Sequence, residues 1–188
     1  IVFVKNISFK MWMLFFSIIL LDQGLKIFVK TSMSIGDEFV VFDWFRIYFV
    51  ENNGFAFGLE FFGLWGKFFL TLFRVFFVFF IFRWLFKLLQ GGLDFMVTLA
   101  FLLICAGAIG NIIDCVLYGV VFNYAPLFFG RVVDMFYFPI ISGFYPDWIP
   151  YFGGERFIFF RFIFNIADSA ITVGAFILLF FHRRIPVK

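Results

Sequence analysis

The chain has 188 residues, of which 64% are hydrophobic, 27% aromatic and only 14% charged. Soluble domains carry roughly 25% charged residues, so this composition excludes a water-soluble globule and points to a membrane helical protein. The formal charge of +3 is small and the basic residues are scattered, which excludes the clustered cationic face of a nucleic-acid binder.

A bilayer core asks for about 20 apolar residues as helix. Four segments meet that length, at 11–29, 67–89, 95–117 and 162–181. The chain opens IVFVKN without Met, so further residues are expected ahead of it. The first apolar run lacks a small-residue cleavage site and holds Asp22 and Lys26, so a retained span is expected rather than a cleaved signal peptide. Residues 39–50 are rich in Val, Ile, Tyr, Phe and Trp and predict one or two β-strands. In the second span Arg74, Arg83 and Lys87 leave a short uncharged centre, and their long side chains can snorkel toward the interfaces. Between the third and fourth spans, Pro126, Pro139, Pro146 and Pro150 with several glycines exclude a helix. Tyr124, Tyr137, Tyr145, Trp148 and Tyr151 suit that connection to a membrane–water interface. No repeat or low-complexity linker interrupts the sequence, so 1–188 reads as a single domain. Four spans put both termini on one side. Lys5, Lys10, Arg83, Lys87, Arg183, Arg184 and Lys188 flank one face, against Lys30, Arg46, Lys67, Arg131, Arg156 and Arg161 on the other. The run HRRIPVK favours a cytoplasmic C-terminus, hence N-in, C-in.

The informative residues are the polar ones inside or beside the spans, because ionisable groups there are costly and usually functional. Asp22 and Lys26, acid first and four apart, suit a helical ion pair. Glu51-Asn52-Asn53-Gly54 reads by itself as a tight turn. GAIGNIID places Asn111 and Asp114 three apart on one helix face, with small residues that admit a close neighbour. GRVVDM carries Asp134 before the aromatic connection. FNIADS carries Asn165 and Asp168 after it.

Few other catalysts are on offer. The only His, His182, stands in the tail beside Arg183 and Arg184, so neither a Ser–His pair nor a His-based zinc site has support. Cys105 and Cys115 are ten apart on different faces of one helix, which suits neither a disulfide nor a metal pair. A Ser169–Lys arrangement would need a Lys brought from elsewhere in the chain. Two carboxylates need no helper. At close range they share a proton, so one can activate water while the other hydrogen-bonds the scissile carbonyl. Two further classes stay open on the residues alone: a small proton-coupled transporter using its intramembrane Asp and Asn, and an assembly subunit whose polar residues only join helices.

Taken together, DQGLK (22–26), NNGFAFG (52–58), GNIID (110–114), VVDM (132–135) and FNIADSAITVG (164–174) resemble lipoprotein signal peptidase, the signal peptidase II family of bacterial inner-membrane aspartic peptidases. The resemblance covers nearly the whole chain, and the five motifs stand in the family's order. It implies four transmembrane helices, a small extracytoplasmic β-cradle and a long extracytoplasmic loop between helices three and four. It implies a catalytic dyad at Asp134 and Asp168, supported by Asp22, Lys26, Asn52, Gly54, Asn111, Asp114 and Asn165. The implied substrate is a diacylglyceryl-modified prolipoprotein, cut just before the lipidated Cys near the periplasmic face. Contact with membrane lipid and inhibition by globomycin-type peptides are implied too, with no metal and no organic cofactor, and nothing in the sequence demands more than a monomer. Two features depart from the pattern. Cys115 stands where the family usually has Arg after the GNxxD Asp, so Arg131 or Arg161 is the expected stand-in. The segments before VVDM and before FNIADS are also long, which enlarges the outer cover.

Overall fold

The structure, a computed structural model, describes residues 8–53, 63–90 and 92–185. Four of its helices are long and apolar enough to cross a membrane, over Phe9–Ser32, Trp65–Leu89, Phe95–Val121 and Ile166–Arg184. No Pro falls within these segments. Helices suit a bilayer because they satisfy every backbone group internally.

The elements run in this order: α1 (Phe9–Ser32), β1 (Glu38–Phe42), β2 (Phe45–Asn52), α2 (Gly63–Leu89), α3 (Phe95–Ile113), a π-helical turn (Asp114–Tyr118), α4 (Gly119–Val121), β3 (Val132–Tyr137), β4 (Ile141–Phe144), β5 (Arg156–Phe159), β6 (Ile163–Phe164) and α5 (Ile166–Phe181). The strands expected at 39–50 are β1 and β2, a hairpin paired Glu38 to Tyr48 and Phe42 to Phe45 with an irregularity at Val40–Phe42. The connection from α3 to α5 is more ordered than a plain loop. It supplies β3, β4, β5 and β6. The fourth helix starts at Ile166, so residues 162–165, expected to be helical, instead form the short strand β6 and its exit.

The chain divides into two compact units. The first comprises Ile1–Leu25, Asn52–Val132 and Ile166–Lys188; the second comprises Lys26–Glu51 and Val133–Asn165. The first is the helical unit. Its core gathers Met11 and Phe15 of α1, Leu85 and Leu89 of α2, and Val97, Phe101, Leu102, Cys105 and Ala106 of α3. α3 packs most extensively against α5 and next against α2. The α3–α5 approach depends on small residues, as in membrane bundles generally. A Cβ at Gly107 would collide with the Ala167 carbonyl, and one at Gly174 would lie 2.7 Å from the Ala100 carbonyl. α3 starts on an N-cap: Asp94 accepts from the Met96 and Val97 amides at 2.9 and 3.4 Å. Large apolar side chains on the other faces of the helices, among them Leu20, Phe69, Phe80 and Phe180, are exposed, as lipid-facing residues would be.

The second unit is the β-cradle. Its four-stranded sheet has the order β1-β2-β3-β6, and β4-β5 form a separate two-stranded sheet. β3 and β6 pair antiparallel through Phe136–Phe164 and Tyr137–Ile163. Ring contacts hold the unit together. Phe138 stacks on Phe45 at 4.8 Å and on Phe164 at 5.6 Å between centroids. Such pairs add about 0.5–1.5 kcal/mol each beyond their area burial.

Candidate active site

In the helical unit, the polar residues expected from sequence come together around the start of α5. Asp168 lies in the first turn of α5, where an acidic side chain complements the helix dipole. Asn111 of α3 donates its Nδ2 to Asp168 Oδ1 at 2.8 Å. One residue earlier, the Ala167 amide, an N-terminal N–H with no partner inside its own helix, donates to Asp22 Oδ1 of α1 at 2.9 Å. Gln23 then links three groups. Its Nε2 lies 3.2 Å from Asp22 Oδ2, 3.1 Å from the Gly110 carbonyl and 2.9 Å from Asp114 Oδ1. Its Oε1 accepts from Tyr118 Oη at 3.1 Å. Asp22 and Asp114 are 1% and 0% exposed, so these bonds replace the water that two buried carboxylates would otherwise lose.

Local structure explains why these groups meet. A Cβ at Gly110 would stand 2.7 Å from Asp22 Oδ2, so the glycine of GNIID makes room for the carboxylate of DQGLK. Asp114 opens the π-helical turn, a wider coil often found at functional positions. The Gly130 amide donates to the Cys115 carbonyl at 2.8 Å, which ties the segment leading into β3 back to that turn.

In the cradle, Asp134 sits on β3 and is 3% exposed. Asn165, fully buried just before α5, donates its Nδ2 to Asp134 Oδ1 at 2.7 Å and lies 3.2 Å from the Val133 carbonyl. One amide thus fixes both the side chain of the acid and the backbone beside it. Lys30 and Glu51 form a close ion pair in the same unit, and Lys26 is fully buried. Each candidate carboxylate is therefore held by an amide: Asp168 by Asn111 and Asp134 by Asn165.

Among the described residues, no three His, Cys, Asp or Glu side chains converge as metal ligands would. Cys105 and Cys115 are both free thiols. Gly54 lies outside the described residues. Asn52 ends β2, and the neighbouring Asn53 accepts from Lys67 Nζ at 3.0 Å.

The model of the signal peptidase II family matches residues 14–183. The chain belongs to the signal peptidase II family. It is 46% identical over 186 residues to the lipoprotein signal peptidase of Porphyromonas gingivalis, covering 89% of this chain and 80% of that one. The lipoprotein signal peptidase of Pelodictyon phaeoclathratiforme is 36% identical, with 92% and 91% covered. A solved structure described as a bacterial membrane enzyme superposes with a TM-score of 0.67 at 26% identity, over 98% of this chain and 96% of that one. Like the rest of the signal peptidase II family, the chain is an aspartic peptidase and a multi-pass membrane protein.

Three residues of the helical network were not singled out from the sequence. Gln23 lay inside a recognised motif, and a polar side chain beside an intramembrane Asp was the available signal. Tyr118 gave none, because its partner lies 95 positions away. Arg74 was read as a snorkelling cation. Its Nη1 lies 3.6 Å from Cys115 Sγ, so a guanidinium from α2 reaches the residue that follows Asp114. Arg131 is engaged differently: its amide donates to Tyr124 Oη at 2.7 Å and its guanidinium lies over the Tyr124 ring.

Proposed function

We propose that this peptidase removes the signal peptide from diacylglyceryl-modified prolipoproteins by cutting just before the lipidated Cys, with Asp134 and Asp168 as its acid–base pair. The observation that carries the reading is the matched bracing of the two carboxylates, which accept short amide hydrogen bonds from Asn165 and Asn111 at 2.7 and 2.8 Å. Asn165, which holds Asp134, is also three residues before Asp168 in the chain. A bound amide fixes a carboxylate without neutralising it, which suits a group that must accept and return a proton.

In this reading the pair shares one proton. The ionised carboxylate takes a proton from water as the oxygen attacks the scissile carbonyl carbon. The protonated partner gives its proton to the carbonyl oxygen. Collapse of the tetrahedral intermediate breaks the C–N bond. The nitrogen of the lipidated Cys leaves with the proton taken from water, and the gem-diol proton returns to the second carboxylate. No covalent enzyme intermediate forms, and the pair ends in its starting state. Asp22, Asp114, Gln23 and Tyr118 support the start of α5, and Arg74 takes the role of the family's Arg. N-in, C-in topology in the bacterial inner membrane puts the cradle on the periplasmic side. The chain is expected to act as a monomer and to be inhibited by globomycin-type peptides.

The test is cleavage of a purified diacylated prolipoprotein by Asp134→Asn and Asp168→Asn. Each variant should insert and fold while losing at least about 10³-fold in rate, within the range of a positioned acid or base. Near-parent cleavage by either variant would remove that residue from the pair.

A further inference from the structure

The cradle contains a recess of about 920 Å³ whose lining includes neither Asp134 nor Asp168. It lies between the β1–β2 hairpin and the β4–β5 hairpin. Its walls carry three guanidinium groups, from Arg46, Arg156 and Arg161, and two carboxylates, from Glu38 and Asp43. These charges are not all neutralised internally. Arg46 Nη1 pairs with Glu38 Oε1 at 2.7 Å, while the buried Arg46 Nε has no hydrogen-bond partner. Arg156 and Arg161 have no ion pair among the described residues. Tyr48 and Tyr137, whose rings are 6.1 Å apart, line the same space. Two available guanidiniums beside a carboxylate make a site for a ligand that carries an anion and a cation at fixed separation.

The surroundings indicate where such a ligand comes from. Trp44 and Ile140 on the lining are 52% and 54% exposed, and Phe39, Phe42, Ile141 and Phe144 nearby are more exposed still. An exposed apolar rim around charged walls is the pattern of a surface at a lipid–water boundary. The chain path agrees. The last turns of spanning helix α1 belong to the cradle unit, and β1 begins only six residues after α1 ends. An acidic peptide fits less well, because Glu38 and Asp43 would repel it.

We propose that this recess binds the headgroup of a zwitterionic phospholipid. The phosphate lies against Arg156 and Arg161, the ammonium lies toward Asp43 and Glu38, and the acyl chains pass over the apolar rim. Arginine is suited to the phosphate because its planar donors engage two oxygens at once. Neither of the two carboxylates proposed for cleavage lines the recess, and the proposal does not depend on them.

The test is calorimetric titration of the full chain in a nonionic detergent with dihexanoyl-phosphatidylethanolamine. Arg156→Gln/Arg161→Gln should weaken binding at least tenfold. Both side chains are exposed, so unchanged thermal unfolding and prolipoprotein cleavage confirm an intact protein. Asp43→Asn should weaken binding of phosphatidylethanolamine and leave dihexanoyl-phosphatidylglycerol binding equal or stronger. Equal affinity of the double variant and the parent would overturn the proposal. So would inorganic phosphate binding as tightly as the lipid, which would mean a free-phosphate site. Binding of an acidic peptide without binding of lipid would overturn it too, by making the recess a peptide site.

Discussion

The helical unit and the cradle each hold one of the two aspartates, and they hold it differently. In the helical unit Asp168 accepts from Asn111, and the helix start that carries it is anchored through the Ala167 amide to Asp22, which Gln23 links to Asp114 and Tyr118. In the cradle Asp134 rests on β3 and accepts from the fully buried Asn165, whose amide also reaches the Val133 carbonyl. A shared network spreads the loss of one member over its neighbours, whereas the Asn165 amide holds both the Asp134 side chain and the backbone beside it, so its loss frees two groups at once. The cradle half should therefore be the more easily broken.

Replacing either aspartate by Asn remains the largest expected effect. The comparison itself is tested one step outward. Asn165→Ala removes a buried charge-assisted hydrogen bond, a loss of roughly 1.5–3 kcal/mol, and should reduce cleavage by about ten- to a hundredfold. Asn111→Ala should lose less, because the network around the start of α5 remains. Steady-state cleavage rates of both variants decide the order, and a larger loss at Asn111 would reverse the argument. The double variant sharpens the point. If the two aspartates share a proton, the two losses should not add, since groups acting as a unit are strongly non-additive. Strict additivity in log rate would indicate two carboxylates working independently.

Gly110→Ala tests the packing that makes the network possible. The new methyl would stand 2.7 Å from Asp22 Oδ2, so it must displace the carboxylate or the helix. Overpacking of this kind typically costs about 1–3 kcal/mol, which thermal unfolding in detergent should show. Arg74→Ala should have a smaller effect, a severalfold drop in rate, because its contact with Cys115 is a weak one to sulfur. Arg131→Ala should leave the rate near that of the parent. A larger loss at Arg131 than at Arg74 would restore it as the substitute for the missing family Arg.

How far these features could be read from sequence follows from their physics. The spans were legible because a bilayer forces long apolar runs, and β1 and β2 because their residues are β-branched and aromatic. Asp22, Asn111, Asp114 and Asn165 stood out because polar groups in such runs are costly. The start of α5 was placed too early, since Phe162, Ile163 and Phe164 suit a span as well as a strand; pairing of β6 with β3 decides the matter. The partner of Arg74 is hidden in the sequence for a related reason. A cation on an apolar helix can snorkel or turn inward, and only the packing of α2 beside Cys115 shows which. β4 and β5 were hidden by prolines and glycines that exclude helix but do not specify which strands pair.

The smallest expected effect lies at the far end of the helical unit, where the third span begins. Asp94 caps α3 and also accepts from Arg184 Nη1 at 3.0 Å, joining the start of α3 to the chain just after α5. Desolvation pushes its carboxyl upward, but the hydrogen bonds from Arg184, Met96 and Val97 outweigh it and hold the carboxyl below its ordinary value of 3.8. A depressed acid stabilises the fold at pH values above its unfolded pKa, and that stabilisation is lost as pH falls through the lower folded value. Thermal unfolding followed from neutral pH to below the ordinary Asp range should show the parent losing stability in that window. Asp94→Asn should lose less there, because Asn still caps the helix but does not titrate. Arg184→Ala should narrow the window from the acid side, since the carboxyl then titrates closer to its ordinary value. An unchanged window in Arg184→Ala would mean that the helix cap alone depresses Asp94, and that the start of α3 is held without the chain beyond α5.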